Sequence, residues 1–152
     1  MLPAMAARYP RTVPELLIAT DSPVVFEEVC SAVEEPGVVL RWARSGRFVL
    51  PALMDRPADL VVTDLQIGSM GGLAVAMDLA LETGAGRLPP VPVLVLLDRR
   101  ADVFLCKRTG VAGWLLKPLD PLRTRAAVQA VLAGDGFYDT TLAPAPGDVL
   151  PA

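Results

Sequence analysis

Asp21, Asp64 and Lys117 are the side chains in this sequence whose types and positions could do chemistry together. Asp64 ends the apolar run Leu60-Val61-Val62-Thr63, and the turn beyond it, Gly68-Ser69-Met70-Gly71-Gly72, holds three glycines. Asp21 follows the run Leu16-Leu17-Ile18-Ala19-Thr20, and Lys117 follows Ala112-Gly113-Trp114-Leu115-Leu116. Each charged group therefore stands at the end of a strand-length apolar stretch. Two carboxylates and an ammonium meeting in one crevice would hold a common ion. An Asp in such a place is also an ordinary cap or turn residue, so the elements must decide whether the three converge.

Those elements alternate. Leu16 to Thr20 reads as a first strand, and Asp21-Ser22-Pro23 opens a helix because a short polar side chain caps free N–H groups and proline fits the first turn. Apolar residues at Val25, Val29, Ala32 and Val33 continue it to Pro36-Gly37. Val38 to Trp42 is a second strand, more polar at its end and so nearer a sheet edge. A second helix is predicted around Phe48 to Met54, interrupted or delayed by Pro51. The strand ending at Asp64 comes next, followed by a helix over Leu73 to Glu82, a breaker from Thr83 to Pro90, and a strand over Val91 to Leu97 with its proline near the start. Asp98 to Gly110 is read as a fourth helix, Ala112 to Leu116 as a fifth strand, and Asp120-Pro121 as the cap of a fifth helix ending at Gly134. Strands alternating with helices predict an α/β fold with a doubly wound, five-stranded parallel sheet. In the order 2-1-3-4-5, strands one and three are neighbours at the topological switch point, and all three charged groups reach the crevice there.

Domain organisation follows from the same pass: a loose arm over residues 1–14, one domain over 15–134, and a tail or linker stub over 135–152 with Phe137, Tyr138 and Leu142 available to pack back. No effector domain is expected after it. The 152 residues suffice for one well-buried core, and 53% hydrophobic against 20% charged residues suits a sheet covered on both faces. A net charge of -3 offers no footprint for nucleic acid. The longest apolar runs fall well short of a membrane span, and the first residues lack a signal-peptide core, so a cytoplasmic protein is expected. Cys30 and Cys106 are isolated and read as small buried hydrophobes. The sequence has no histidine, which removes His-based acid–base catalysis, serine triads of the usual kind and most zinc sites.

The domain resembles the receiver domain of bacterial two-component response regulators. The carriers are Asp21 after the first strand, the stretch from Asp64 to Gly72, and the stretch from Gly110 to Pro118 with its small residues, aromatic and Lys-Pro at fixed spacing. The resemblance covers roughly Glu15 to Gly134 and implies a flavodoxin-like (βα)5 fold. It implies that Asp64 accepts a phosphoryl group from a phosphohistidine on a sensor histidine kinase or phosphotransfer protein. It also implies Mg2+ bound by Asp21, Asp64 and the backbone carbonyl of Gln66, with Lys117 paired first to Asp64 and then to a phosphoryl oxygen. Leu97 and Trp114 occupy the family's switch positions. Output would pass through the face of helix four, strand five and helix five, including Val103, Phe104, Leu122 and Ala126, to a downstream protein or to a second copy.

Departures from the family pattern keep a second reading open. Thr20 stands where an acidic residue is usual, which lowers the charge offered to a metal. Leu97 replaces a hydroxyl residue and cannot donate a hydrogen bond. Asp98 replaces a small residue and is expected to repel phosphate, while Gly68 and Gly71 loosen the turn after Asp64. These changes suit a phosphorylation-independent interaction module as well as a phosphoacceptor. An enzyme acting on a small substrate in a flavodoxin-like fold is disfavoured by the lack of a histidine base or a recognised phosphate loop.

Overall fold

The structure, a computed structural model, describes residues 13–140. Most of the predicted arm and the tail residue Leu142 lie outside these residues. The first strand, β1 (Glu15–Ala19), is buried along its whole length, as an apolar run covered on both faces must be. Helix α1 (Pro23–Val33) starts where Ser22 Oγ accepts a hydrogen bond from the Val25 N–H at 3.3 Å, with Pro23 in the first turn. Strand β2 (Val39–Ala43) is largely half-exposed, consistent with its position at the sheet edge. A single 3-10 turn over Gly46–Phe48 leads into the short helix α2 (Val49–Asp55). Pro51 falls in its first turn, where a missing N–H costs nothing.

Strand β3 (Leu60–Asp64) is fully buried, and helix α3 runs from Gly72 to Gly84, past the predicted break at Thr83. Strand β4 (Val93–Leu97) is fully buried. The expected fourth helix is much reduced: a 3-10 turn over Arg100–Asp102 precedes α4 (Val103–Cys106), and turns occupy the rest to Gly110. Strand β5 (Gly113–Leu116) precedes α5 (Pro121–Leu132), whose cap Asp120 accepts from the N–H groups of Leu122 and Arg123 at 2.7 and 3.3 Å. A two-residue strand, β6 (Phe137–Tyr138), follows.

All neighbouring strands pair in parallel, in the order β2-β1-β3-β4-β5-β6. The predicted order is therefore present, and the sheet has six strands rather than five because part of the expected tail joins it. Alternate strand residues divide the core. Leu17, Val61 and Val95 pack with Leu53 of α2, Leu79 of α3 and Cys106 of α4. Leu16, Ile18, Val62, Leu96 and Leu115 pack with Val29 of α1 and Val128 of α5. Burial pushes the Cys106 thiol up to about 11 and that of Cys30, half-buried rather than buried, also to about 11. Both thiols are inert at neutral pH. Among the described residues no helix is long and apolar enough to cross a membrane.

Candidate functional site

Register brings the ends of the strands together. Ala19 of β1 lies opposite Thr63 of β3, and Asp64 lies opposite Leu96 of β4, which places Thr20 and Leu97 beside the Asp64 end of the sheet. Leu97 in turn lies opposite Leu116, the residue before Lys117. The Lys117 N–H donates to the Leu97 carbonyl at 2.8 Å, so the parallel ladder itself carries the lysine to the crevice.

Asp64 is 3% exposed, and its carboxylate is held from two sides. Lys117 Nζ lies 2.8 Å from Oδ1 and 3.0 Å from Oδ2, while Thr20 Oγ1 donates to Oδ2 at 3.2 Å. Thr20 is itself anchored: its Oγ1 accepts from the Ser22 N–H at 3.1 Å, and its carbonyl accepts from Trp42 Nε1 at 2.8 Å. The Trp42 ring stacks on Phe26 with centroids 4.2 Å apart. Thr20, expected only as a neutral stand-in for an acid, thus orients the buried carboxylate directly.

Lys117 also donates to Asp98 Oδ1 at 3.2 Å. Asp98, whose negative charge at the rim is expected to repel phosphate, takes a share of the Lys117 ammonium. Burial works to lower the Lys117 pKa, but the contacts to Asp64 and Asp98 outweigh it and hold the value above that of an ordinary lysine. Lys117 is therefore a permanent cation at neutral pH. The side chains missed by sequence reasoning, Thr20 as a direct partner of Asp64 and Asp98 as a partner of Lys117, both adjoin residues that reading singled out.

Asp21 is exposed and bonds the loop after β3 rather than Lys117, its Oδ2 accepting from the Gly68 N–H at 3.1 Å. That loop folds tightly because two positions lack a side chain. A Cβ on Gly72 would lie 2.5 Å from the Asp64 carbonyl oxygen, and one on Gly46 would lie 1.9 Å from that of Met70. Ser69 adopts φ 71, a left-handed conformation costly for a residue with a Cβ. Gln66 is exposed in this loop. Leu97 and Trp114, at the switch positions, are 0% and 7% exposed. Trp114 packs against Tyr138 and donates from Nε1 to the Asp139 carbonyl at 3.3 Å.

Among the described residues no group of three or more His, Cys, Asp or Glu side chains is arranged to hold a metal unaided. Asp21, Asp64 and the Gln66 carbonyl make an all-oxygen set, the kind a hard divalent cation takes. The Asp21–Gly68 hydrogen bond ties one carboxylate to the loop bearing that carbonyl. The set fits Mg2+, which completes its shell with water.

With the crevice defined, comparison with known proteins is decisive. The profile of the response regulator receiver domain matches residues 16–129. The chain belongs to this family. Relatives include Protein PilH of Pseudomonas aeruginosa, 28% identical over 120 residues that cover 78% of this chain and 98% of PilH. The DNA-binding response regulator MtrA of Mycolicibacterium smegmatis is 26% identical, and the match covers 77% of this chain but 50% of MtrA. The receiver thus spans nearly all of one curated relative and about half of another. Among solved structures, a LuxR-family two-component response regulator from Aurantimonas superposes with a TM-score of 0.74 at 24% identity, covering 87% of this chain and 94% of the other. The chemotaxis response regulator CheY4 of Vibrio cholerae gives 0.66 at 21% identity, covering 80% and 99%. Both share the fold found here.

Proposed function

We propose that this receiver accepts a phosphoryl group on Asp64 from the phosphohistidine of a sensor histidine kinase or phosphotransfer protein. The supporting observation is the grip of Lys117 on both Asp64 oxygens, at 2.8 and 3.0 Å. An Asp64 carboxylate oxygen attacks phosphorus, a P–O bond forms, and the P–N bond to the donor imidazole breaks with its electron pair returning to nitrogen. Little covalent chemistry is asked of the protein, so position and charge do the work. Thr20 orients the attacking carboxylate, and Lys117 meets the negative charge brought by the phosphoryl oxygens. Asp21, Asp64 and the Gln66 carbonyl would hold Mg2+, which when bound offsets the charge gathered by carboxylates and phosphate. The chain works in the cytoplasm as a signalling protein with protein partners, not as an enzyme on a small substrate, a DNA binder or a membrane protein. Exposed Phe104 and Leu122 and half-buried Val103 support the face of α4, β5 and α5 as the place where a target or second copy docks.

A second reading has its own support. Leu97 is fully buried and has no hydroxyl, and Trp114 is packed under Tyr138, so the usual hydroxyl-to-aromatic relay lacks its first member. A module that binds its partner whatever the state of Asp64 would keep this geometry. Treatment with acetyl phosphate and Mg2+, read by intact mass, separates the two. The phosphoacceptor reading expects one phosphoryl adduct, absent in Asp64→Asn; no adduct on the parent chain would leave the interaction module.

A further inference from the structure

The β5 edge is closed by residues from beyond α5, and the closure is specific. The Phe137 N–H donates to the Ala112 carbonyl at 3.1 Å and the Asp139 N–H to the Trp114 carbonyl at 3.2 Å. The Asp139 side chain is 0% exposed and lies 3.0 Å from Arg123 Nε, and its Oδ2 accepts from the Leu116 N–H at 2.9 Å. Arg123 Nη2 reaches back to the carbonyls of Leu116 and Pro118 at 3.3 and 3.2 Å. One acid thus bonds the strand where β6 has already ended, and its own carbonyl holds the Trp114 indole. A Cβ on Gly113 would lie 2.0 Å from the Phe137 carbonyl oxygen, so the edge is shaped for a backbone passing very close.

The same segment is lightly attached. β6 pairs through two residues, whereas β1 and β2 pair through five. Tyr138 is 54% exposed, and Gly134, at φ 91, and Gly136 lie in the short connection from α5. A short edge strand held by a few bonds opens far more often than the interior of a sheet. We propose that Phe137–Asp139 is a latch, and that the edge beneath it is a docking site for an extended peptide with an aromatic pair followed by an acid. The latch occupies in cis the place such a partner takes in trans. Main-chain bonds to Ala112 and Trp114 supply affinity, and Arg123 with the Leu116 N–H reads the acid. The proposal stands on this edge geometry and does not depend on phosphorylation of Asp64.

Amide exchange by NMR on the full chain, with and without a peptide of the sequence of residues 134–140, tests it. In the parent, the amides of Leu116, Phe137 and Asp139 are expected to exchange at least tenfold faster than those of β1 and β3; exchange in step with the core would overturn the latch. Asp139→Ala should speed Leu116 and Phe137 by a further tenfold while β1 and β3 keep their protection, and Asp139→Asn, which retains an acceptor oxygen, should fall between. The added peptide should saturate Asp139→Ala, restore protection at Leu116, and bind the parent at least tenfold more weakly. Equal binding to both, no binding to either, or elution of the parent as a strand-exchanged dimer would each contradict the proposal.

Discussion

The two ends of the sheet carry charge in opposite ways. At the N-terminal end, Glu15 Oε2 lies 2.8 Å from both Arg41 Nη1 and Arg56 Nε, while its own N–H donates to Asp59 Oδ2 at 2.7 Å. Arg41 further donates to the carbonyls of Arg56 and Ala52 at 2.7 and 2.6 Å. One carboxylate there is shared by two guanidiniums, a second acid accepts a backbone N–H, and Arg41 is further committed to backbone carbonyls. At the C-terminal end, Asp64 and Asp98 share one ammonium, that of Lys117, while Asp21 is held by the Gly68 N–H. The first cluster is balanced and closes the fold. The second has negative charge to spare, and a cation would relieve it. A saturated arginine network is built for stability, whereas a lysine shared between two carboxylates leaves its strongest partner able to react.

Substitutions should separate the two clusters. Glu15→Ala leaves partly buried arginine charge without its carboxylate and is expected to cost about 2 kcal/mol in urea unfolding, reduced from the value for a fully buried pair because Arg56 is half-exposed. Asp64→Asn should stay within about 1 kcal/mol of the parent, because relief of repulsion among carboxylates offsets the weakened Lys117 contact. If Asp64→Asn proves the more damaging of the two, the assignment of roles is reversed.

Stability against pH sharpens the contrast. Burial raises the Glu15 pKa, but Arg56 and Arg41 outweigh it and leave the group below its ordinary value. Its contribution is present above the unfolded pKa and lost as pH falls through the lower folded one, so acid unfolding should be shallower in Glu15→Gln than in the parent. Lys117 is shifted the other way, upward. Its contribution holds below the ordinary lysine pKa and is lost only as pH rises through the raised folded value, so Lys117→Met should flatten the alkaline limb. The smallest effect belongs to Asp98→Asn: Asp98 is 44% exposed at its side chain, and losing such a pair should change unfolding free energy by less than about 1 kcal/mol.

Much of this could be read from residue types. Continuous apolar runs marked β1, β3 and β4 because both faces of a parallel strand are covered, and Ser22-Pro23 and Asp120-Pro121 marked helix starts through capping chemistry. Asp64 and Lys117 followed from their places at strand ends. β6 was not legible, because two residues between Gly136 and Asp139 carry no period, and what holds them is the main-chain pairing to β5, the packing of Tyr138 on Trp114 and the buried Asp139 carboxylate. The fourth helix was overextended because Asp98 to Gly110 has helix-forming composition, while packing sustains only Val103–Cys106 as α-helix. The pairing of Asp98 with Lys117 was hidden for another reason: sequence gives the sign of a neighbouring charge but not which cation it faces.

Chemical-shift mapping during Mg2+ titration, followed by beryllofluoride, tests whether Asp64 is a metal-dependent phosphoacceptor. Saturable shifts centred on Asp21, Asp64, Gln66 and Gly68 are expected, abolished in Asp64→Asn, with a beryllofluoride adduct that then shifts Lys117. A full titration that leaves those amides unmoved and yields no adduct would mean that Asp64 is not a phosphoacceptor.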